Sequence, residues 1–478
     1  MTRMGTIASG NSAEYEPASR VRLGVLGFAS ALSMITYLDR VSIASAAPFI
    51  VSELNLTSVA DLKWAFAAFA FAYAVFEIPS GWLGDVFGPR LALIRIVLWW
   101  SLFTALTAVV GISLGGISLG LGFLILARFL FGMGEAGAYP NITRALHNWF
   151  PLAERGIAQG TVWFSGKLMG GLTPLIWALL VTGISLPWLE TQAIATWRGS
   201  FLLFGTLGIV WCALFAVWFR DRPEEKSGVN LAERTLIRTG GAESQHAPRS
   251  VPWGPILKSR TLRFLCLMYS CQAYGWYFNI TYLPQFLEQQ YGVAPSSFVG
   301  AIYKGGPLWM GAIGSLAGGF LTDWFIRRTG NRKLGRRIAG FIGHGICVVC
   351  FLLCPLAPSA FWFFIAVSLA ALFTDLTVAS SWAICQDIGR RYAAIVGGVM
   401  NTCAGLSGAL AGWLTGYVLE KTLGRHAAEL HVAVAQLSPA QTAAGLLDGY
   451  HLNFVLFAAA YVVALFCWFK IDATQPIE

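Results

Sequence analysis

Apolar runs of bilayer-crossing length recur along this chain from Leu23 to Ile471, separated by short polar connections. A membrane helix needs about 20 apolar residues. Twelve segments can be drawn: 23–50, 62–84, 91–112, 118–145, 155–183, 199–219, 261–290, 298–325, 336–356, 360–386, 392–419 and 450–471. Each must be a helix, because lipid satisfies no backbone polar group. Only 12% of the 478 residues are charged, about half the ~25% typical of soluble proteins. The chain therefore reads as an all-α membrane protein with twelve transmembrane helices.

One long polar stretch, 220–260, divides the segments six and six. The expected organisation is a tail (1–22), a six-helix half (23–219), a linker (220–260), a second half (261–471) and a short tail (472–478). The net charge of +9 comes from 33 Lys and Arg against 24 Asp and Glu. With both termini placed in the cytoplasm, most of those basic residues fall in inner connections, as the positive-inside rule requires. The charge thus marks topology, and no nucleic-acid partner is expected. The first 22 residues lack a short apolar core with a cleavage site and read as a cytoplasmic tail. Of nine cysteines only Cys347 and Cys350 have CxxC spacing, within an apolar run, so neither metal, cofactor nor disulfide framework is expected.

The two halves share a repeat. Gly81-Trp-Leu83-Gly-Asp85-Val-Phe-Gly88-Pro-Arg90 follows the second segment, and Gly319-Phe-Leu321-Thr-Asp323-Trp-Phe-Ile-Arg327-Arg328 follows the eighth. The two aspartates lie almost half the chain length apart. These runs resemble the inner-loop motif of the major facilitator superfamily, with Ile326 where the second copy should have glycine. The resemblance spans Leu23 to Ile471 and implies two pseudo-symmetric six-helix bundles that open alternately to either side. It implies gating roles for Asp85, Arg90, Asp323 and Arg328. Glu77, next to Pro79 near the inner end of its helix, is expected to belong to the gate.

Charges inside the apolar segments point to function. Asp39 and Arg40 interrupt the first segment, and Arg128 and Glu135 the fourth. Each such charge costs at least ~2.5–3.5 kcal/mol at mid-membrane, so all four must face water, a ligand or each other. Arg128 and Glu135 are seven residues apart, sharing a helix face at about 10 Å along the axis. Lys167 adds a third cation. These five groups sum to +1 with both carboxylates ionised and +3 with both protonated, which suits an anion, including one with a second acidic group. Asp375 is a further buried acid, read first as part of a hydrogen-bond network. His344 reads as structural.

Arg128-Phe-Leu-Phe-Gly-Met-Gly-Glu135-Ala-Gly-Ala-Tyr-Pro140-Asn141, Trp149-Phe-Pro-Leu-Ala-Glu154-Arg155-Gly and Tyr37-Leu-Asp39-Arg40 resemble the anion:cation symporter family, whose members carry sugar acids and related carboxylates. The resemblance implies that Arg40 binds the substrate carboxylate, that Arg128 holds Glu135 or Asp39 in one protonation state and reaches toward substrate in another, and that Asp39 and Glu135 carry protons. Tyr37, Tyr73, Gln272, Tyr274, Tyr277, Ser381, Trp382 and Asn401 are candidate pocket residues that can supply hydroxyl and amide partners. The expected function is proton-coupled symport of a small organic anion by a monomeric transporter in a bacterial inner membrane. An exchanger or uniporter of the same fold is the alternative. No metal cluster, Ser-His-Asp set or phosphate loop points to an enzyme.

Overall fold

The computed structural model of the chain describes residues 17–56, 59–114, 117–186, 189–239, 250–293 and 298–477. Its first half contains helix 1 (Val21–Glu53), helix 2 (Lys63–Phe87), helix 3 (Pro89–Leu106), helix 4 (Leu121–Glu135, then Ala138–Trp149), helix 5 (Arg155–Trp177) and helix 6 (Trp197–Trp218). The second half contains helix 7 (Arg260–Trp276, extended by Phe278–Thr281 and Leu283–Tyr291), helix 8 (Phe298–Thr329) and helix 9 (Arg332–Leu353). Helix 10 (Ala360–Leu376, then Val378–Gly389), helix 11 (Ala393–Glu429) and helix 12 (Pro439–Cys467) complete it. Two short helices, Leu231–Thr239 and Trp253–Lys258, lie in the connection between the halves.

Nine stretches of the described residues are long and apolar enough to cross a membrane, and one of them, Ala360–Glu429, joins helices 10 and 11. Helices 7 and 8 account for the other two spans. Helix 7 is interrupted after Trp276, and helix 8 is diluted by glycines between Gly305 and Gly319. Two features were absent from the sequence reading. Small antiparallel hairpins, Ser113–Leu114 with Ile117–Ser118 and Ile184–Leu186 with Leu189–Thr191, form in the connections between the drawn segments, with only Ser118 inside one of them. Helices 4 and 10 are each broken mid-span.

Polarity runs inside out. On helix 6, Leu203, Leu207, Val210, Leu214 and Val217 are exposed, forming a face suited to lipid. Asp39, Glu77, Arg128, Glu135, Lys167 and Asp375 are buried. Within the first bundle helix 1 packs on helix 5, 2 on 4 and 3 on 6; within the second, 7 packs on 11, 8 on 10 and 9 on 12. The bundles meet along helix 5 against 8 and helix 2 against 11. The chain is an integral membrane protein, with helix 1 beginning and helix 12 ending at the same end, hereafter the termini end. There the Ile477 N–H donates to the Ile388 carbonyl (2.8 Å).

The break in helix 4 has a local cause. Gly137 takes φ +84°, and a Cβ there would run into the Ser80 side chain of helix 2. Only glycine adopts that backbone without strain. Beyond the break, Asn141 donates to the Ser80 carbonyl (3.1 Å), locking the second piece onto helix 2.

Candidate functional site

A cavity of ≈ 220 Å³ lies between the bundles, lined from helices 1, 2, 4, 5, 7, 10 and 11. An engineered cavity of ~150 Å³ accepts benzene, so this one suits a compact ligand somewhat larger. Of the predicted pocket residues Tyr37, Arg40, Tyr73, Lys167, Gln272, Tyr277 and Asn401 line it, as do Glu77 and Asp375.

Arg40 is the central cation. Its Nε donates to Glu135 (2.5 Å), and its guanidinium lies 4.5 Å from the Tyr73 ring centroid. Glu135 is the final residue before the helix 4 break. Arg128, two turns earlier on the same helix, lies about 10 Å further along the axis. It sits over Phe131 (4.3 Å) and Phe69 (4.9 Å), and among the described residues it makes no ion pair. Asp39 is buried behind the cavity wall and accepts a long hydrogen bond from Thr104 (3.4 Å). The structure therefore joins Arg40, rather than Arg128, to Glu135. Arg128 and Asp39 stand in a second layer outside the cavity lining.

Lys167 and Asp375 form an ion pair across the bundle boundary, with only 3% and 2% of their side-chain surfaces exposed. The lysine thus turns inward and does not snorkel toward lipid headgroups. Two close approaches position its helix: Gly166 and Gly170 leave no room for a Cβ beside the Tyr37 ring. Glu77 accepts from Asn401 (2.6 Å), a second polar link across the halves at cavity level. Asp375 and Glu77 change the charge count made from sequence. Arg40, Arg128 and Lys167 now face Asp39, Glu77, Glu135 and Asp375, so the fully ionised set is net negative.

Glu135 and Asp375 are 240 residues apart, close to the 238 that separate Asp85 from Asp323. Each occupies the last turn before the break in its helix. They hold similar places along helices 4 and 10, the fourth of each half, and each holds one cation that lines the cavity.

On the second bundle's wall, the Trp468 indole N–H donates to His344 Nδ1 (3.0 Å). Indole is a donor only, so neutral His344 carries its proton on Nε2, which donates to Gln272 Oε1 (3.3 Å). Thr377 also donates to that oxygen (2.8 Å). With its oxygen occupied twice, Gln272 presents its amide N–H groups to the cavity. His344 therefore orients a pocket residue.

Tyr139 and Trp163 stack at 4.3 Å, and Trp382 lies 5.6 Å from Trp163. The Trp382 indole donates to the Tyr269 hydroxyl (3.0 Å). Trp382 thus sits behind this aromatic wall, while Tyr139, Trp163, Tyr269 and Trp276 line the cavity. Ser381 is buried and donates to the Thr377 carbonyl (2.9 Å). Tyr274 turns away onto Phe457 of helix 12 (5.1 Å). Helical spacing carries the signal for helix 7: Gln272, Tyr269 and Trp276 are three and four residues apart and share a face, whereas Tyr274 stands about 200° from Gln272.

Toward the termini end, Asp85 accepts from the N–H groups of Ala394 (3.1 Å) and Ile395 (2.8 Å), in the first turn of helix 11. Asp323 accepts from those of Gly156 (3.1 Å) and Ile157 (2.6 Å), in the first turn of helix 5. Each aspartate from one bundle caps a helix of the other, where unpaired N–H groups and the helix dipole favour an anion. Asp387 accepts from both Arg155 (2.9 Å) and Arg336 (3.0 Å), and Arg336 also donates to Asp323 (3.0 Å). Arg144 lies 3.6 Å from Asp85 and donates to the Arg390 carbonyl (2.7 Å). The interbundle hydrogen bonds and ion pairs just described lie at the cavity or on its termini side. Arg90 makes no bond to the second bundle among those described: its backbone N–H donates to Asp221 of the linker (2.9 Å) and its side chain to the Ala216 carbonyl of helix 6. Arg328 is exposed. The sequence reading missed Arg144, Arg155, Arg336 and Asp387, whose signal is charge at the inner edge of an apolar segment.

The sequence pattern of the Major Facilitator Superfamily matches residues 29–412. The chain belongs to that superfamily. It is 33% identical over 406 residues to a probable sulfoacetate transporter of Cupriavidus necator, covering 84% of this chain and 88% of that one. It is 28% identical over 410 residues to a hexuronate transporter of Bacillus subtilis, covering 84% and 89%. Among solved structures it resembles the proton:xylose symporter XylE, with a TM-score of 0.66 and 14% identity, covering 95% of this chain and 96% of that one. That likeness concerns the fold. The chain is a membrane transporter and not an enzyme.

Proposed function

We propose that this transporter imports a small organic anion together with protons by alternating access. The observation that carries the reading is the Arg40–Glu135 pair in the cavity wall, within a set of four acids and three cations. While the acids are ionised the site is net negative and every lining cation is already paired. An anion gains Arg40 only when Glu135 is neutralised, so substrate and proton bind together. A guanidinium suits this role because its planar fork matches a carboxylate or sulfonate. The names of the relatives, transporters of sulfoacetate and hexuronate, support an organic acid as cargo.

In this reading the termini face the cytoplasm of a bacterial cell and 220–260 links two domains, 23–219 and 261–471. Asp85, Asp323 and Asp387 close the cytoplasmic side, and rocking of the bundles breaks their caps. Arg128 and Asp39 tune the pair from behind. The protein acts as a monomer.

The test is uptake by proteoliposomes of labelled sugar acids, sulfonates, dicarboxylates and aromatic acids, with and without an inward pH gradient. Gradient-driven accumulation of at least one anion is expected. Accumulation that ignores the gradient for every substrate would overturn symport and leave exchange or uniport.

A further inference from the structure

We propose that the transported anion carries two acidic groups on a short chain, Arg40 taking one and Lys167 the other. The inference rests on the functional reading above and adds the charge of the cargo.

Two cations line the cavity wall deep between the bundles, and each is paired with a buried acid. Arg40 is held by Glu135 within the first bundle, and Lys167 is held by Asp375 across the boundary. Arg128, the third cation, lies outside the lining over aromatic rings. Lys167 is flanked by the rings of Trp163 and Trp276, at 5.7 and 5.9 Å. The ring faces attract the ammonium group but carry no negative charge to balance it.

A buried charge that loses its partner is strongly unfavourable. Protonating Asp375 therefore leaves Lys167 in need of an anionic group, and the cargo is what enters the cavity. A ligand with one acidic group satisfies Arg40 and does nothing for Lys167. A dianion satisfies both while each acid holds one proton. Two protons and a dianion then cross together with no net charge. The cavity volume of ≈ 220 Å³ favours a compact dicarboxylate or sulfocarboxylate.

The test uses the full chain in proteoliposomes under an inward pH gradient. Labelled succinate and 3-sulfopropionate are each compared with the corresponding carboxamide, which keeps the shape and removes one charge. A charged hydrogen bond gained or lost corresponds to about tenfold or more, so the wild type is expected to favour the dianion over the amide by at least about tenfold. In Lys167→Gln/Asp375→Asn, which removes the pair without stranding a charge, the ratio should fall to about one. The same ratio can be read as ligand-induced shifts in melting temperature, which also show that the variant is folded. Equal handling of dianion and amide by the wild type, or an unchanged ratio in the double variant, overturns the second site and leaves the functional reading standing. Uptake of no anion of either kind under the gradient overturns the functional reading itself.

Discussion

Glu135 and Asp375 each lie in the last turn of a helix that breaks beside the cavity, the fourth helix of either half of the protein. A broken helix leaves backbone groups unpaired inside the membrane, which is tolerated where they line a cavity. The break also sets these carboxylates against cations from other helices. Glu135→Gln should abolish pH-driven accumulation and retain exchange of labelled for unlabelled substrate. Gradient-driven uptake at the wild-type level by the variant would remove Glu135 from the coupling.

Asp387 links Arg155 of the first bundle to Arg336 of the second. Removing one partner of a buried pair costs about 3–5 kcal/mol, and here the loss falls on one conformation. Asp387→Asn should shift the population toward the state open at the termini end. Spin labels placed on the exposed Phe87 at the end of helix 2 and the exposed Thr329 at the end of helix 8 should then report a longer distance across that end. An unchanged distance distribution would show that the cluster does not hold the gate.

Gly137 should tolerate no side chain. A non-glycine residue at its positive φ costs roughly 1–2 kcal/mol, and the clash with Ser80 adds to that. Gly137→Val is expected to lower stability by more than about 2 kcal/mol and to move Glu135 away from Arg40. Thermal unfolding in detergent measures the first effect. A melting temperature equal to wild type would contradict the packing described here.

The fold was readable because bilayer thickness imposes a length on every helix, and because a repeat near half the chain length ties one half to the other. The charged site was readable in part for a related reason: charge within an apolar run must have a purpose. Partners were harder. Arg128 and Glu135 share a helix face, yet the break after Glu135 and the approach of helix 1 give that acid to Arg40. The Lys167–Asp375 pair joins residues 208 positions apart on different bundles, and no local spacing reports that. Tyr274 was grouped with Gln272 by sequence proximity, whereas helical geometry separates them. Trp382 is drawn behind the cavity wall by the stacked Tyr139 and Trp163, a tertiary effect.

His344 offers the last prediction, since it acts on the cavity without lining it. Its Nε2–H holds the Gln272 oxygen, and its Nδ1 is occupied by Trp468. Without that contact Gln272 can turn its oxygen toward the cavity, presenting an acceptor to an anion. A net hydrogen bond of about 1 kcal/mol corresponds to roughly fivefold in affinity. His344→Leu is therefore expected to raise KM for the anion by about fivefold with little change in maximal rate. His344→Gln keeps an N–H donor and should recover most of the loss. A purely structural histidine would lower the amount of folded transporter and leave KM alone. Kinetics of the two variants at matched protein levels distinguish the roles, and an unchanged KM in His344→Leu would remove His344 from substrate recognition.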